Sequence, residues 1–248
     1  MPLVTTDAIV VRTYNLAEAD RIVVCLTRTA GLVRAVAKGS RRMKSRFGAA
    51  LEPFTVIRLT YYEKENRELV TISSAEILKS HFNLNSQPEA AEVLAYMGEL
   101  VTEFAPPHEV DERLFRMLTA SVEALSSAPG SERVIMRYFE VWLLRLAGFF
   151  PDVRACSGCG ATLADVDQVF LDADMKPHCQ KCSRGGESLL TSETNKILRA
   201  TQRLSPADFA ASVGESFERI DSELGDLTHR LIVRTIERRP RTLVASSR

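Results

Sequence analysis

The residues with the clearest chemical potential are four cysteines in two closely spaced pairs. Cys156 and Cys159 bracket Ser-Gly, Cys179 and Cys182 bracket Gln-Lys, and 19 residues separate the pairs. Two C-x2-C pairs at this separation are typical of a four-thiolate zinc site. Four thiolates close the tetrahedral shell and leave no position for a reacting water. The spacing therefore predicts a structural Zn²⁺ as the cofactor and no catalytic metal.

The fifth cysteine and the histidines carry weaker signals. His178 directly precedes Cys179 and is the one candidate substitute ligand, but we expect it beside the metal site. Cys25 falls in a predicted strand and is expected to be a small buried hydrophobic residue. A redox dithiol, or a site that has lost its metal, is the alternative to zinc. None of the four histidines begins the H-x-E motif of zinc deaminases, which excludes that class of enzyme.

A basic segment is the second chemical signal. Residues 37–48 contain five Lys or Arg and no acidic residue. Such a loop suits a phosphodiester backbone, because neutralised phosphates release counterions. We therefore predict backbone contacts from Lys38, Arg41, Arg42, Lys44 and Arg46, with Arg12, Arg21 and Arg34 as second-rank candidates. The alternative is a solvated run of charge. Phe47 is expected inside the barrel, and few exposed aromatic residues are evident near it.

The elements that must position this loop are short strands. Runs rich in Val, Ile, Thr and Tyr predict five antiparallel strands in the first part of the chain. They cover residues 5–13, 20–28, 32–38, 54–62 and 68–73. Five short strands cannot fill a sandwich of usual size, whereas closure into a small barrel removes the exposed edges. We predict an OB-like barrel, with an SH3-like barrel as the alternative.

From Pro88 the apolar residues recur at helical spacing. The predicted helices cover residues 89–104, 111–125, 131–147, 191–204 and 212–239. The third is apolar on most sides and should lie at the centre of a bundle. Between the third and fourth helices lies the cysteine-bearing stretch, in which residues 168–171 predict a small strand. In the last helix, Arg230, Arg234 and Arg238 repeat every four residues and so share one face.

These elements give an α+β, multi-domain chain. The predicted domains are an OB-like nucleic-acid-binding barrel (1–80), a first helical part (81–150), a zinc-binding module (151–188) and a C-terminal helical part (189–248). Charge varies along the same order: residues 1–80 carry 13 basic against 8 acidic side chains, and residues 81–150 carry 5 against 10. A basic front and an acidic middle suggest two functional surfaces.

Composition excludes several classes of protein. The 248 residues are 45% hydrophobic and 26% charged, with 32 basic and 32 acidic side chains. These values exclude dominant disorder and a fibrous rod. No apolar run approaches the roughly 18–20 residues that cross a bilayer. The first residues lack the basic and apolar regions of a secretory signal, so we expect a cytoplasmic protein with reduced thiols.

Several short N-terminal runs and one later turn stand in a recognisable order. The runs cover residues 18–22, 31–32, 37–42 with 44–46, 51–54 and 69–76, and a Gly-Phe-Phe-Pro turn at residues 148–151 precedes the cysteine module. This order resembles the bacterial recombination mediator family RecO over nearly the whole chain. Ala17 departs from the resemblance, because a Gly is expected there.

The resemblance implies a non-catalytic factor for DNA repair and recombination. It implies binding of single- and double-stranded DNA, annealing of complementary strands, and work with RecR (and RecF) to load RecA onto DNA coated by single-strand-binding protein, at the nucleoid. It also implies that the acidic, apolar tail of single-strand-binding protein docks on the helical part. The local candidates for that tail are Arg133, Arg137 and Arg145. A partner surface or a secondary DNA surface is predicted at the face formed by Arg230, Arg234 and Arg238, with Arg239 and Arg241 nearby. The alternative is that the helix dipole alone favours cations there.

Two other functions stay open at this point. One is a zinc-ribbon adaptor that contacts proteins and does not bind DNA. The other is a zinc- or metal-dependent nucleic-acid hydrolase, for which Asp165, Asp167, Asp172 and Asp174 are the nearest acidic cluster. These aspartates flank a predicted strand and are expected to be solvated. Motifs of zinc proteases, P-loop nucleotidases and serine hydrolases are absent from the sequence.

Overall fold

The computed structural model describes residues 2–63, 69–163, 166–185, 188–214 and 217–242. The chain forms two compact units. The first combines residues 1–132 with residues 240–248, and the second is residues 133–239. No helix in the described ranges has the length and apolar character needed to span a bilayer. The division into four domains stays a prediction.

Five strands form a closed barrel in the first unit. The strands are β1 (Leu3–Leu16), β2 (Asp20–Thr27), β3 (Gly31–Ala37), β4 (Val56–Tyr62) and β5 (Leu69–Lys79). Their order around the barrel is β1-β2-β3-β5-β4, and β4 pairs back with β1. The OB-like barrel is thus confirmed. The expectation that every strand pair is antiparallel is wrong, because β3 and β5 run parallel. A ring with an odd number of strands cannot alternate direction throughout.

The barrel interior follows the period-two pattern of the strands. Val23 and Cys25 of β2 and Val33 and Ala35 of β3 are fully buried in one core cluster. Phe47 is also in this cluster, as predicted, and leads into a short 3-10 turn at Gly48–Leu51. β5 continues to Lys79, past the predicted end at residue 73, because it pairs with β4 that far, although most of its second half is exposed. Glu68, the predicted first residue of that strand, lies outside the described residues.

The β2–β3 hairpin requires glycine at residue 31. Gly31 has φ of +65°, in the left-handed region that favours glycine. A Cβ there would lie 2.2 Å from the carbonyl oxygen of Glu109. The Thr27 hydroxyl donates to the Gly31 carbonyl at 2.8 Å and accepts from the Ala30 amide at 2.9 Å. The turn therefore has little freedom.

Two helices complete the first unit. They are α1 (Pro88–Phe104) and α2 (Glu112–Ser127), close to the predicted bounds. Asp111 caps α2 by accepting from the amides of residues 113 and 114. In α1, Glu99 is 1% exposed, and its carboxylate accepts from the amides of Arg241 and Thr242 at 2.8 and 2.9 Å. This buried carboxylate anchors residues 241–242 to the first unit.

The second unit contains α3 (Glu132–Leu146), three short strands and three further helices. The strands are β6 (Gln168–Leu171), β7 (Pro177–His178) and β8 (Ser188–Thr191), in the order β7-β6-β8. The helices are α4 (Ser192–Ala200), α5 (Pro206–Val213) and α6 (Phe217–Ile236). Ile135, Phe139 and Leu144 of α3 are fully buried, which agrees with the predicted central position of this helix.

Buried charges join α3 to α6. The Arg137 guanidinium donates to Glu140 at 2.7 Å and to Asp221 at 2.8 Å, and the Thr228 hydroxyl donates to Glu140 at 2.6 Å. Gly225 makes this arrangement possible, because a Cβ there would lie 2.7 Å from the Arg137 side chain. Two carboxylates hold that guanidinium in place, so it cannot move aside. Gly225, inside the continuous helix α6, is therefore required by packing.

The predicted bounds of the last helices are wrong in three places. The helix that starts at Thr191 ends at Ala200, short of residue 204. Residues 206–213 form a separate helix, α5, so Ser212 does not begin the last helix. The last helix ends at Ile236, and Glu237 has φ of +56°. Arg238 is therefore outside the helix, and the predicted face retains only Arg230 and Arg234.

Candidate metal centre and nucleic-acid interface

The four paired cysteines converge on one point. The sulfur atoms of Cys156, Cys159, Cys179 and Cys182 all lie within 4.8 Å of one another. The Cys159 and Cys179 sulfurs are 3.8 Å apart, close to the edge of a tetrahedron with metal–sulfur bonds of roughly 2.3 Å. The donor set and its size therefore fit a Zn²⁺ ion, with no coordination position left open.

Backbone turns build each cysteine pair. The Gly160 amide donates to the Cys156 carbonyl at 2.8 Å, and the Cys182 amide donates to the Cys179 carbonyl at 2.9 Å. Both turns bring the second cysteine back towards the first. β6 lies between the two pairs, as predicted, and joins β7 and β8 in the small sheet. The turn within each cysteine pair and the short strand between the pairs thus bring the four sulfurs together.

Amide groups also favour thiolate at one cysteine. The amides of Cys179 and Gly158 donate to the Cys156 sulfur at 3.3 and 3.4 Å. Donation from Cys179 is the main cause that lowers the pKa of Cys156 to about 5. The neighbouring sulfurs, Cys159 foremost, raise the pKa of Cys182 to about 12. The first thiolate thus forms easily and the last only at high pH, so a bound cation is needed to hold all four deprotonated near neutrality.

His178 lies beside the cluster and outside it. Its Nε2 is 3.0 Å from a carboxylate oxygen of Asp172. That carboxylate also accepts from the amides of Asp174 and Lys176, both at 2.9 Å. Asp172 is therefore a hydrogen-bond acceptor that holds the β6–β7 turn together. The prediction that it is a solvated side chain did not include this role. Asp167 is exposed, and Asp165 lies outside the described residues.

The basic loop is exposed and docked on the barrel. Lys38, Arg41, Arg42, Lys44 and Arg46 are all exposed. The Gly39 amide donates to Asp20 at 2.7 Å, and the Arg41 amide and guanidinium donate to the carbonyls of Ala19 and Ala17, each at 3.0 Å. Ala17 holds φ of +54°, the left-handed turn for which a glycine was expected. These bonds tie the loop to the β1–β2 turn.

The loop cations differ in their freedom. Within the described parts of the chain, the side chains of Lys38, Arg42 and Lys44 have no ion-pair or hydrogen-bond partner. Arg46 lies over the Phe47 ring at 4.8 Å and donates to the Ile72 carbonyl at 3.4 Å. Three of the five cations are therefore fully available to an anionic ligand.

The second-rank arginines separate into two groups. Arg21 pairs with Glu52 at 3.4 Å. Arg12 of β1 and Arg34 of β3 both pair in register with Val24 of β2, one on each side. Neither guanidinium group has a hydrogen-bond or ion-pair partner among the described residues. They share the outer face of β1–β3 with Tyr14, which is 46% exposed. Sequence reasoning missed Tyr14, although its period-two relation to Arg12 was readable in β1.

The arginines of α3 have different environments. Arg137 is held inside the unit by Glu140 and Asp221, and Arg133 pairs with Asp221 from an exposed position. Arg145 donates to the Thr201 hydroxyl at 2.5 Å and the Leu198 carbonyl at 2.8 Å, and it has no carboxylate partner among the described residues. Burial lowers the pKa of Arg145 to about 10.

Arg145 lines a cavity of about 630 Å³ in the second unit. Apolar residues, among them Phe150, Val153 and Leu198, share the lining with Arg199 and Arg203. The lining thus combines four apolar residues with four arginines, and its other members are Asp152, Thr162, Asn195 and Gln202.

The arginines at the end of α6 contact their surroundings. Arg230 donates to the Asp226 carbonyl at 3.1 Å, Arg234 to the Ala173 carbonyl at 3.0 Å, and Arg238 to the Arg239 carbonyl at 3.1 Å. All three therefore have a backbone acceptor nearby.

Comparison with known proteins gives the family. The family model described as "Recombination protein O N terminal" matches residues 1–81, and "Recombination protein O C terminal" matches residues 85–243. The chain belongs to the RecO family. It is 31% identical over 215 residues to a DNA repair protein RecO of Anaeromyxobacter sp. (strain K), covering 87% of this chain and 84% of the relative.

Two further relatives carry the same description. The DNA repair protein RecO of Symbiobacterium thermophilum is 36% identical over 192 residues, 77% of this chain and 75% of the relative. That of Koribacter versatilis is 36% identical over 160 residues, 64% of this chain and 65% of the relative. As a RecO-family DNA repair protein, the chain carries its OB-like barrel in the N-terminal family region and its cysteine cluster in the C-terminal one.

Proposed function

We propose that this RecO-family protein is a non-catalytic mediator of DNA repair and recombination. It binds single- and double-stranded DNA through the basic loop and anneals complementary strands. With RecR, and with RecF indirectly, it helps to load RecA onto DNA coated by single-strand-binding protein, in the cytoplasm at the nucleoid. The zinc ion holds the cysteine module and takes no part in a reaction. Family membership supports the DNA repair role, and the loop supports the mode of binding.

The observation that carries the proposal is the free charge of the loop. Lys38, Arg42 and Lys44 lack internal partners among the described residues, while hydrogen bonds fix the backbone that presents them. Cations held in this way lose little internal stabilisation when they bind phosphate. Their affinity comes from released counterions and is independent of base sequence.

Charge reversal of the loop tests the proposal. Arg41→Glu, Arg42→Glu and Lys44→Glu together should lower the affinity for labelled single-stranded and duplex oligonucleotides at least 10-fold at low salt, measured by fluorescence anisotropy. The matched control reverses Arg58, Arg113 and Arg116, which are exposed elsewhere on the same unit. Equal affinity of the loop variant and the wild type would remove the loop from the account.

The same binding data address the two alternatives. An adaptor without direct DNA contact gives no binding by wild type at low salt. A hydrolase converts the oligonucleotide to shorter products when a divalent metal is added, and the mediator leaves it intact. Both outcomes are read in one titration followed by a denaturing gel.

We further propose that the acidic, apolar tail of single-strand-binding protein docks at the cavity beside Arg145. The support is the combination of apolar lining residues with the half-buried Arg145 guanidinium, which has no carboxylate partner in the described chain. Arg137 is engaged internally, so the proposal now rests on Arg145 with Arg203 at the exposed rim. Arg203→Glu should weaken binding of a labelled tail peptide, while Arg219→Glu on α6 should leave it unchanged.

A further inference from the structure

Two rows of side chains cross the outer face of the barrel in register. The first row places Arg12, Val24, Arg34 and Leu69 side by side on β1, β2, β3 and β5. The second, which we call the aromatic row, consists of Tyr14, Ile22, Val36 and Thr71 on the same four strands.

The aromatic row points away from the barrel core. Val23 and Cys25 are in the core, so their neighbour Ile22 points outward. Tyr14 is 46% exposed, and Ile22 and Val36 are half-buried. A single exposed apolar residue needs no explanation. A tyrosine with two aliphatic neighbours in one row is an apolar strip that barrel packing does not use.

Cations border this strip on both sides. Arg12 and Arg34 occupy the neighbouring row and have no ion-pair or hydrogen-bond partner in the described parts of the chain. On the other side, β3 ends at Ala37, opposite Arg21, and the basic loop begins with Lys38. The loop is fixed there by the bond between the Gly39 amide and Asp20. An apolar strip therefore lies between two sources of positive charge.

This arrangement matches an unpaired strand better than a duplex. A duplex presents phosphates outward and keeps the faces of its bases stacked inside. An unpaired strand presents phosphates and base faces together, and aromatic side chains on OB-like barrels can stack with those faces. Arg12 and Arg34 on one side and the loop on the other can hold the backbone while a base covers the strip.

We propose that Tyr14 stacks on an unpaired base and gives the barrel a preference for single-stranded over duplex DNA. This inference rests on the proposed DNA-binding function and adds to it a residue that distinguishes the two forms. The same preference favours release of the annealed product, because the duplex lacks the stacking contact that holds each single strand.

The test measures the ratio of affinities for two DNA forms. Tyr14→Ala and Tyr14→Phe are compared with wild type, and Phe82→Ala is the matched control, because Phe82 is an aromatic residue that is 60% exposed and follows the last barrel strand. Fluorescence anisotropy is recorded with a labelled oligothymidylate, an abasic strand of the same length and a duplex of the same length. Thermal melting verifies that each variant is folded.

Tyr14→Ala should lower the affinity for oligothymidylate by roughly 5- to 100-fold, the range for loss of one base–aromatic stack. It should leave the affinity for the abasic strand and the duplex within about twofold, and Tyr14→Phe and Phe82→Ala should behave as wild type. An equal loss on all three DNAs, or no loss on any, would overturn the inference. If the loop variant still loses affinity in that case, the proposed function stands and only the stacking role falls, leaving the strip to a protein partner.

Discussion

His81 shows how burial sets the charge of a single side chain. It is 4% exposed in the first unit, and its Nε2 has no hydrogen-bond partner among the described residues. Burial is the main cause that lowers the pKa of His81, and the nearby Lys79 lowers it further, against a smaller opposing effect of Glu123. The folded protein therefore holds this imidazole neutral at a pH where the unfolded chain has begun to protonate it.

The stability of the first unit should depend on this residue below pH 6.5. Above the ordinary pKa, His81 is neutral in both states and contributes no dependence. As the pH falls below about 6.5, the unfolded chain binds a proton that the folded unit excludes, so the unfolding free energy falls by up to about 1.4 kcal/mol per pH unit. The decrease ends at the lowered pKa of the folded state.

Urea unfolding of wild type and His81→Gln between pH 5 and pH 8 measures the effect. The difference between the two proteins isolates His81 from other titrating groups, including His178, whose pKa is raised mainly by its hydrogen bond with Asp172. His108→Gln, at a site that lies in the same unit, is the control. Parallel pH profiles for wild type and His81→Gln would refute the assignment.

At the level of single residues, sequence predicted what depends on local spacing. The four-cysteine cluster was readable because two residues inside each pair bring both sulfurs to one point. Arg137 was predicted as a candidate for the tail surface, and its contact with Asp221 was not readable because that residue is 84 positions away. Tyr14 was missed because a bulge between Val10 and Arg12 shifts the alternation along β1, so the buried residues before the bulge do not predict its side and only its spacing from Arg12 does.

The cysteine module is the element that depends most on something besides packing. Its sheet has strands of four, two and four residues. Strands this short are marginal on their own. Binding of zinc to four thiolates is worth roughly 10–16 kcal/mol in small zinc domains. The metal should therefore supply most of the stability of this module.

Zinc removal should unfold the module and spare the barrel. A strong chelator, or Cys156→Ser with Cys159→Ser, should raise amide hydrogen exchange across residues 153–163 and 166–185, while β1–β5 keep their protection. Elemental analysis should find one zinc per chain in wild type and in Cys25→Ala, because Cys25 lies in the barrel core. Wild-type protein that contains no zinc, or a module whose protection survives chelation, would contradict the structural role.

Sequence predicted elements well where the period was unambiguous. The five strands and first three helices were located, since each has a regular apolar pattern between breakers. The bounds of the C-terminal helices were predicted wrongly because α5 is only eight residues long, and Gly214 follows directly as its C-cap. An eight-residue segment contains only about two helical turns. Its apolar pattern is therefore too short to distinguish a separate helix from the helices on either side.

At the scale of the whole molecule, the net charge is zero, but the positive charge is unevenly distributed along the chain. The first 80 residues carry the excess of positive charge, and the loop concentrates five cations on an exposed connection. Residues 81–150 carry the compensating acidic excess. Long-range attraction for nucleic acid should therefore be weak. On the proposed function, binding comes from phosphates in contact with the loop, and the affinity falls steeply with salt because counterions are released.

Annealing should follow from this local charge. Each phosphate neutralised on a single strand contributes about −0.7 to the slope of log affinity against log salt concentration, so five loop cations give about −3.5. Reversal of Arg41, Arg42 and Lys44 should reduce the slope to about −1.4, while the control reversal at Arg58, Arg113 and Arg116 leaves it unchanged. Annealing of complementary oligonucleotides, followed by fluorescence quenching, should proceed without a nucleotide and lose its acceleration over the same salt range as binding. Annealing that persists at salt concentrations where binding is lost, or that requires nucleotide hydrolysis, would show that charge neutralisation by the loop is not the mechanism.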